Sequence, residues 1–245
     1  RLTLQKKKQF CLKYQKNGQK KLMKKNKLFI ACDSKNINKV KEIIKKTQNS
    51  KLEIGYKFGL EFLNSKGGRN FISKLKNKII FGDYKFADIP NTCASAIKAV
   101  SDLKFNYLTI HISSGLEALK VAKMVSGKTK LVGVTLLTSL DDNSIKEIGF
   151  NKKVKKVVLQ QARLAYRANL DAIVCSPMEV NLVKKVFKKE IITPGIRFNS
   201  KVNDQKRTLT PQQAYKNGSD WLVIGRPITR GNIKKNLQNL INHLN

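Results

Sequence analysis

From Leu28 to the C-terminus, short apolar runs alternate with longer segments of helical spacing, eight times over. Few folds accommodate that alternation. A strand followed by a helical crossover brings the chain back parallel to its start, so repeated pairs build a parallel sheet covered by helices. The strand-like runs are Leu28–Cys32, Leu52–Tyr56, Ile79–Phe81, Tyr107–Ile110, Lys130–Leu136, Ala172–Cys175, Ile191–Thr193 and Trp221–Ile224. Helical spacing is found over Ile37–Lys46, Leu60–Lys76 (interrupted at Gly67-Gly68), Thr92–Val100, Gly115–Val125, Asn151–Ala168, Glu179–Phe187 and Asn232–Leu244. A further helix opens at Thr210-Pro211, where Thr suits the N-cap and Pro the first turn. Eight such pairs predict a single-domain (β/α)8 TIM barrel over residues 28–245, preceded by a basic extension over residues 1–27 that is disordered or loosely helical.

The polar exceptions support this reading. Asp33, Lys57, Asp83, Lys85, Thr138, Arg197 and Arg226 all lie at or just beyond the C-terminal ends of the strand-like runs. In a barrel those ends form one face, the one that carries chemistry. Scattered surface charge would not select them. Strand 2 offers two registers, one ending at Lys57 and one placing Glu53 at the same functional level; a strand beginning near Leu52 favours Lys57.

The formal charge of +34 is extreme and raises nucleic acid or an anionic surface as a partner. The basic residues, however, are mostly lysines spread over nearly every helix rather than a stripe interleaved with aromatics, so specific nucleic-acid binding is not expected. The four cysteines, Cys11, Cys32, Cys93 and Cys175, show no C-x-x-C spacing, and there are only two histidines, His111 and His243. No zinc-site pattern can be assembled from them. Cys32 and Cys175 sit in apolar runs and are expected to be packed thiols in a reducing cytoplasm. No apolar run approaches the ~20 residues that cross a bilayer.

The densest chemistry lies in Phe81-Gly82-Asp83-Tyr84-Lys85-Phe86-Ala87-Asp88-Ile89-Pro90-Asn91-Thr92. Two carboxylates flank one ammonium, Asp-x-Lys-x-x-Asp, where the chain leaves a strand. The neighbours keep the lysine charged, while the carboxylates crowd each other. Taken alone, the pattern could equally be a surface salt-bridge cluster. With its Ile-Pro-Asn-Thr continuation it resembles the signature of the orotidine 5'-phosphate decarboxylase family, in its bacterial form. Thr193-Pro194-Gly195-Ile196-Arg197, Asp204-Gln205-Lys206-Arg207 and Val223-Ile224-Gly225-Arg226-Pro227-Ile228-Thr229 follow in the family's order.

The resemblance implies decarboxylation of orotidine 5'-monophosphate to UMP and carbon dioxide, the last step of de novo pyrimidine nucleotide synthesis, without metal or other cofactor. It implies a cytoplasmic homodimer with shared active sites. Lys85 would deliver a proton to C6, Asp83 would lie near the substrate carboxylate, and Lys57 would complete an alternating array with Asp88, supplied in trans by the partner subunit. Asp33 would contact the ribose and Thr138 the pyrimidine, with Thr92 adding a contact partly in the neighbouring subunit. Gly225, Arg226 and Arg197 would hold the phosphate after strands 7 and 8, and Gln205 would reach phosphate and base from a closing loop. Blander roles exist for several of these: Asp33 as a helix cap, Lys57 as a solvated lysine, Gly225-Arg226-Pro227 as a turn. His111 ends strand 4 with no assigned role beyond packing and hydrogen bonding, and His243 is expected to be solvated. Two rival functions are a magnesium-dependent sugar-phosphate decarboxylase or aldolase of the same superfamily, and a basic nucleic-acid-binding protein on an inactive barrel.

Residues 1–27 contain eleven Lys or Arg and no acid. They lack the apolar centre and cleavage site of a secretory signal. Met23-Lys24-Lys25-Asn26-Lys27 directly precedes the first strand, as an initiator would. Residues 1–22 are therefore expected to be dispensable: a chain starting at Met23 should fold and turn over like the full chain, and an insoluble or inactive product would contradict this.

Overall fold

The structure, a computed structural model, describes residues 25–49, 51–198 and 208–244. Eight strands close into a barrel in sequence order, each parallel to its neighbours: β1 (Lys27–Ala31), β2 (Glu53–Phe58), β3 (Ile79–Phe86), β4 (Tyr107–His111), β5 (Lys130–Val134), β6 (Ala172–Val174), β7 (Glu190–Thr193) and β8 (Trp221–Ile224). β8 pairs back onto β1, Lys27 opposite Trp221 and Ile30 opposite Ile224. The (β/α)8 architecture expected from the alternation is the one observed. The N-terminal extension expected over residues 1–27 lies, up to residue 24, outside the described residues.

The helices around the barrel are α1 (Ile37–Lys46), α2 (Leu60–Leu63), α3 (Gly68–Ser73), α4 (Pro90–Ala99), α5 (Gly115–Val125), α6 (Asp142–Glu147), α7 (Val154–Arg167), α8 (Val180–Lys184), α9 (Pro211–Lys216), α10 (Arg226–Thr229) and α11 (Ile233–Leu244). Their buried faces follow the helical period: Val40, Ile43 and Ile44 in α1, and Ile233, Leu237, Leu240 and Ile241 in α11. Thr210 caps α9 in a full capping box with Gln213. The alternation did not announce α6 and α10. α6 is nucleated by Asp141, which accepts from the Ser144 amide, while Asp142 Oδ1 accepts from the Val154 amide at 2.7 Å and ties α6 to the start of α7. α4 begins two residues before the expected Thr92 because Pro90, with its φ preset, opens the first turn.

Inside the barrel, alternate residues of the strands form a second core distinct from the one beneath the helices. Phe29, Phe81, Tyr107, Val132, Ala172, Ile192 and Trp221 are its buried members. Phe29 stacks on Trp221 with ring centroids 4.1 Å apart and tilts against Phe81 at 4.9 Å. At the N-terminal face Lys27 and Lys130 lie over the Trp221 and Tyr107 rings, at 5.2 and 5.1 Å, and cover this plug with cations.

Three polar side chains at that face pin strand starts in one repeated way. Asn106 Oδ1 accepts from the Ile80 amide (2.7 Å), Asp171 Oδ2 from the Leu131 amide (2.8 Å) and Asp220 Oδ2 from the Ile191 amide (2.9 Å). Each stands just before an even-numbered strand and holds the start of the odd-numbered strand before it. Gly55 makes room for the aromatic plug. A Cβ there would stand 2.6 Å from Phe29 Cε1, with backbone at 3.1 Å. Gly55→Ala should destabilise the barrel by about 1–3 kcal/mol. Thermal unfolding should show it as a fall of roughly 2–4 °C per kcal/mol; an unchanged midpoint would contradict the packing described.

Candidate active site

Two residues further along the same inward-facing rows, the side chains change character. Past Gly55 comes Lys57, past Phe81 comes Asp83, and past Tyr107 comes Thr109; each is buried. The barrel is apolar below this level and charged at it. Lys57 Nζ lies 3.1 Å from Asp33 Oδ1 and 3.2 Å from Asp83 Oδ2, and Lys85 Nζ lies 2.8 Å from the same Asp83 Oδ2. The result is a continuous chain, Asp33–Lys57–Asp83–Lys85, drawn from the adjacent strands β2 and β3 and the turn after β1. Gly59 permits it, since a Cβ there would meet Asp33 Oδ1 at 2.6 Å and Lys57 Nζ at 3.1 Å.

This geometry decides the open alternatives of the sequence. Lys57, not Glu53, stands at the functional level: Glu53 opens β2 at the opposite face, 3.5 Å from Lys27. Asp33 is not a helix cap, because α1 is capped by Asn36, which accepts from the Asn38 and Lys39 amides. Lys57 is not solvated. Gly225 and Arg226 do not form a simple turn; Gly225 precedes the one-turn helix α10.

Burial and charge oppose one another here. Burial alone would push the Asp83 carboxyl up, but the Lys57 and Lys85 ammoniums outweigh it and hold it below the usual carboxylate value. Burial alone would lower the Lys57 amine, but Asp83 and Asp33 outweigh it and raise it. His111, half-buried at the end of β4, is lowered by burial and by the Lys85 charge, against a smaller opposing pull from Asp83.

A cavity of about 530 Å³ opens above the charged chain, within the usual range for small-molecule sites. Asp33, Lys57, Asp83, Lys85, Thr138, Arg197, Gly225 and Arg226 line it together with the apolar Val134, Leu136, Val174, Cys175 and Val223. β3 and β7 stand four places apart in the eight-strand ring, so the sector bearing Lys85 lies across the mouth from the sector bearing Arg197. A bridge between Ile196 and Leu209 closes the base of the loop between them: the Arg197 amide donates to the Leu209 carbonyl (3.1 Å) and the Leu209 amide to the Gly195 carbonyl (3.4 Å). Asp88 and Thr92 are exposed and do not line the cavity; Asp88 Oδ1 accepts from the Ile89 amide beside it. Gln205 lies outside the described residues. Cys32 and Cys175 are packed in the core, as expected.

Two residues of this centre escaped the sequence reading. Gly59 follows the strand without any local sign that an ion pair lies against it. Thr109 is a fully buried hydroxyl in an otherwise apolar strand, and a polar residue two places before a strand's end was the available signal.

Barrel and mouth together define a class: a (β/α)8 enzyme with an alternating aspartate–lysine centre beneath a cationic, glycine-lined rim. Residues 26–236 match the sequence model of the family described as orotidine 5'-phosphate decarboxylase / HUMPS family, and the chain belongs to that family. Among its relatives is the orotidine 5'-phosphate decarboxylase of Wolbachia pipientis subsp. Culex pipiens (strain wPip), 41% identical over 211 residues that span 83% of this chain and 92% of the relative. The one from Ehrlichia chaffeensis is 44% identical over 180 residues, 71% of this chain and 78% of that one. Among solved structures, the orotidine 5'-phosphate decarboxylase from Lactobacillus acidophilus superposes with a TM-score of 0.76 at 29% identity, covering 90% of this chain and 99% of the other.

The charged centre sets a pH window for stability. Asp83 titrates lower when folded than unfolded, so its contribution is full above an unfolded aspartate's value of about 3.9 and is lost as pH falls through the folded value. Lys57 titrates higher when folded, so its contribution is full below about 10.4 and is lost as pH rises through the folded value. Denaturant unfolding below pH 4 should therefore show a shallower acid decline for Asp83→Asn than for the parent chain. Equal slopes would contradict the assignment.

Proposed function

We propose that this chain decarboxylates orotidine 5'-monophosphate to UMP and carbon dioxide as the last step of de novo pyrimidine nucleotide synthesis. The observation that carries this reading is one carboxylate oxygen, Asp83 Oδ2, shared by two ammoniums at the floor of a cavity whose far rim bears Arg197, Gly225 and Arg226. Family membership gives that arrangement its substrate.

The bond from C6 to the carboxylate breaks, carbon dioxide leaves, and the electron pair stays on C6. The Lys85 ammonium supplies the proton that C6 takes up and is itself reprotonated from solvent. Placing a cation where the negative charge develops is the electrostatic stabilisation that such a step requires. Asp83 orients Lys85 and stands near the departing carboxylate; Lys57 keeps Asp83 ionised and bonds Asp33, which takes the ribose hydroxyls. Thr138 sits on the pyrimidine side, and Arg197 and Arg226 pair with the phosphate, with Gly225 letting backbone approach it. Gln205, by resemblance, adds a contact to phosphate and base. Energy from the phosphate contacts, remote from the reacting carbon, is expressed in the transition state.

The chemistry calls for no metal or cofactor. Among the described residues no three His, Cys, Asp or Glu side chains come together as a metal site. The active unit in this reading is a homodimer in which Asp88 and Thr92 serve the partner's cavity. Their exposed position outside their own cavity, next to the exposed apolar side chain of Ile89, supports it. We place the protein in the cytoplasm, in keeping with its buried cysteines; among the described residues no helix is long and apolar enough to cross a membrane. The domain division follows, with the barrel as the catalytic unit and the basic extension outside it.

The test is spectrophotometric loss of orotidine 5'-monophosphate with and without chelator. The parent chain should turn over equally in both, and Lys85→Ala should lose essentially all turnover while keeping its circular dichroism. Normal UMP production by that variant would overturn the role of Lys85, and chelator-sensitive turnover would favour the metal-dependent sister chemistry.

A further inference from the structure

Lys85 does not sit in ordinary strand conformation. Its φ is +54°, in the left-handed region where a residue with a side chain is disfavoured. The cause is a break in register: Gly82 pairs with Leu108 but Phe86 with Ile110, so β3 spends four residues where β4 spends two. Such a bulge re-aims side chains and leaves backbone groups without a ladder partner.

The orphaned amide is that of Lys85, and it finds a side chain instead. Lys85 N–H donates to Thr109 Oγ1 at 2.7 Å, and Thr109 Oγ1 donates onward to Asp83 Oδ1 at 3.2 Å. Asp83 Oδ2 in turn receives the Lys85 ammonium at 2.8 Å. The connections form a closed ring: Lys85 backbone, Thr109 hydroxyl, Asp83 carboxylate, Lys85 head group. Thr109 is wholly buried, so water cannot take its place.

We propose that Thr109 is a positioning residue for the decarboxylation, locking Lys85 at both ends by accepting from its amide and donating to the carboxylate that holds its ammonium. This rests on the function proposed above. The threonine hydroxyl serves both bonds at once, since it donates one hydrogen and offers lone pairs. Valine has the shape but neither capacity; serine has the capacity. Without the hydroxyl the bulge keeps an unsatisfied buried amide and Asp83 loses a donor, so the ammonium is free to leave the geometry that proton transfer to C6 demands.

The experiment compares Thr109→Val and Thr109→Ser in steady-state turnover of orotidine 5'-monophosphate, with hydrogen–deuterium exchange of the Lys85 amide followed by NMR. Thr109→Val should lose about 10- to 100-fold in kcat, equivalent to about 1.4–2.7 kcal/mol of barrier. Its KM should stay within about threefold, because no substrate contact is removed. Thr109→Ser should recover kcat to within about threefold. The Lys85 amide should exchange slowly in the parent and in Thr109→Ser, and fast in Thr109→Val. If Thr109→Val fails to fold, Thr109→Cys, which lacks the γ-methyl and offers only a weak donor, should lose at least about fivefold in kcat. A valine or cysteine variant with parental kcat, or one whose loss lies wholly in KM, would overturn the proposal. Should the parent chain itself not decarboxylate, the functional reading fails, and a fast Lys85 amide in the parent would separately refute the Thr109 bond.

Discussion

One carboxylate governs the mouth of this barrel. Asp83 is buried, and desolvating an anion is costly unless partners compensate. Here two ammoniums converge on a single oxygen, 2.8 and 3.2 Å away, while the other oxygen takes the Thr109 hydroxyl. Remove the anion and two lysines from adjacent strands would face each other with no carboxylate between them, Asp33 pairing with Lys57 alone. Remove either lysine and the balance that holds the carboxyl below its usual value is weakened. The centre is therefore a unit, and its residues come from the neighbouring parallel strands β2 and β3 and the turn after β1.

The two ends of the barrel divide the work. At the N-terminal face, acids and an asparagine bond backbone amides at strand starts, and cations cover an aromatic plug. Those contacts tie strand starts together and serve the fold. At the C-terminal face the same inward rows carry charge beneath an open cavity, and backbone strain is tolerated at Lys85. A residue with φ of +54° is retained only where the surroundings over-determine it. The Thr109 hydroxyl and the Asp83 carboxylate do so.

Much of this was legible in the sequence because it depends on periodicity and chain order. The eight strands follow from apolar runs, and the polar exceptions Asp33, Lys57, Asp83, Lys85, Thr138, Arg197 and Arg226 mark the face at which the cavity opens. The choice of Lys57 over Glu53 followed from strand length, since a strand starting near Leu52 cannot place Glu53 at its far end, and from the Gly-Leu-Glu-Phe pattern downstream. What escaped depends on three-dimensional register. Nothing local to Lys85 shows that β3 bulges against β4, and without the bulge Thr109 reads as one β-branched residue suited to a strand. Gly59 escaped for a similar reason: its role is to be absent where a pair formed by residues 33 and 57 needs space. The helices α6 and α10 are too short for periodicity to register.

The bridge between Ile196 and Leu209 carries a further implication. It closes the stem of the loop after β7, so Arg197 is set by the barrel rather than by whatever chain intervenes. Doubling the length of a flexible loop adds only about 0.6 kcal/mol of closure entropy. The barrel itself should thus bear changes in chain length beyond Arg197 at small cost, while the arginine at the stem keeps its station.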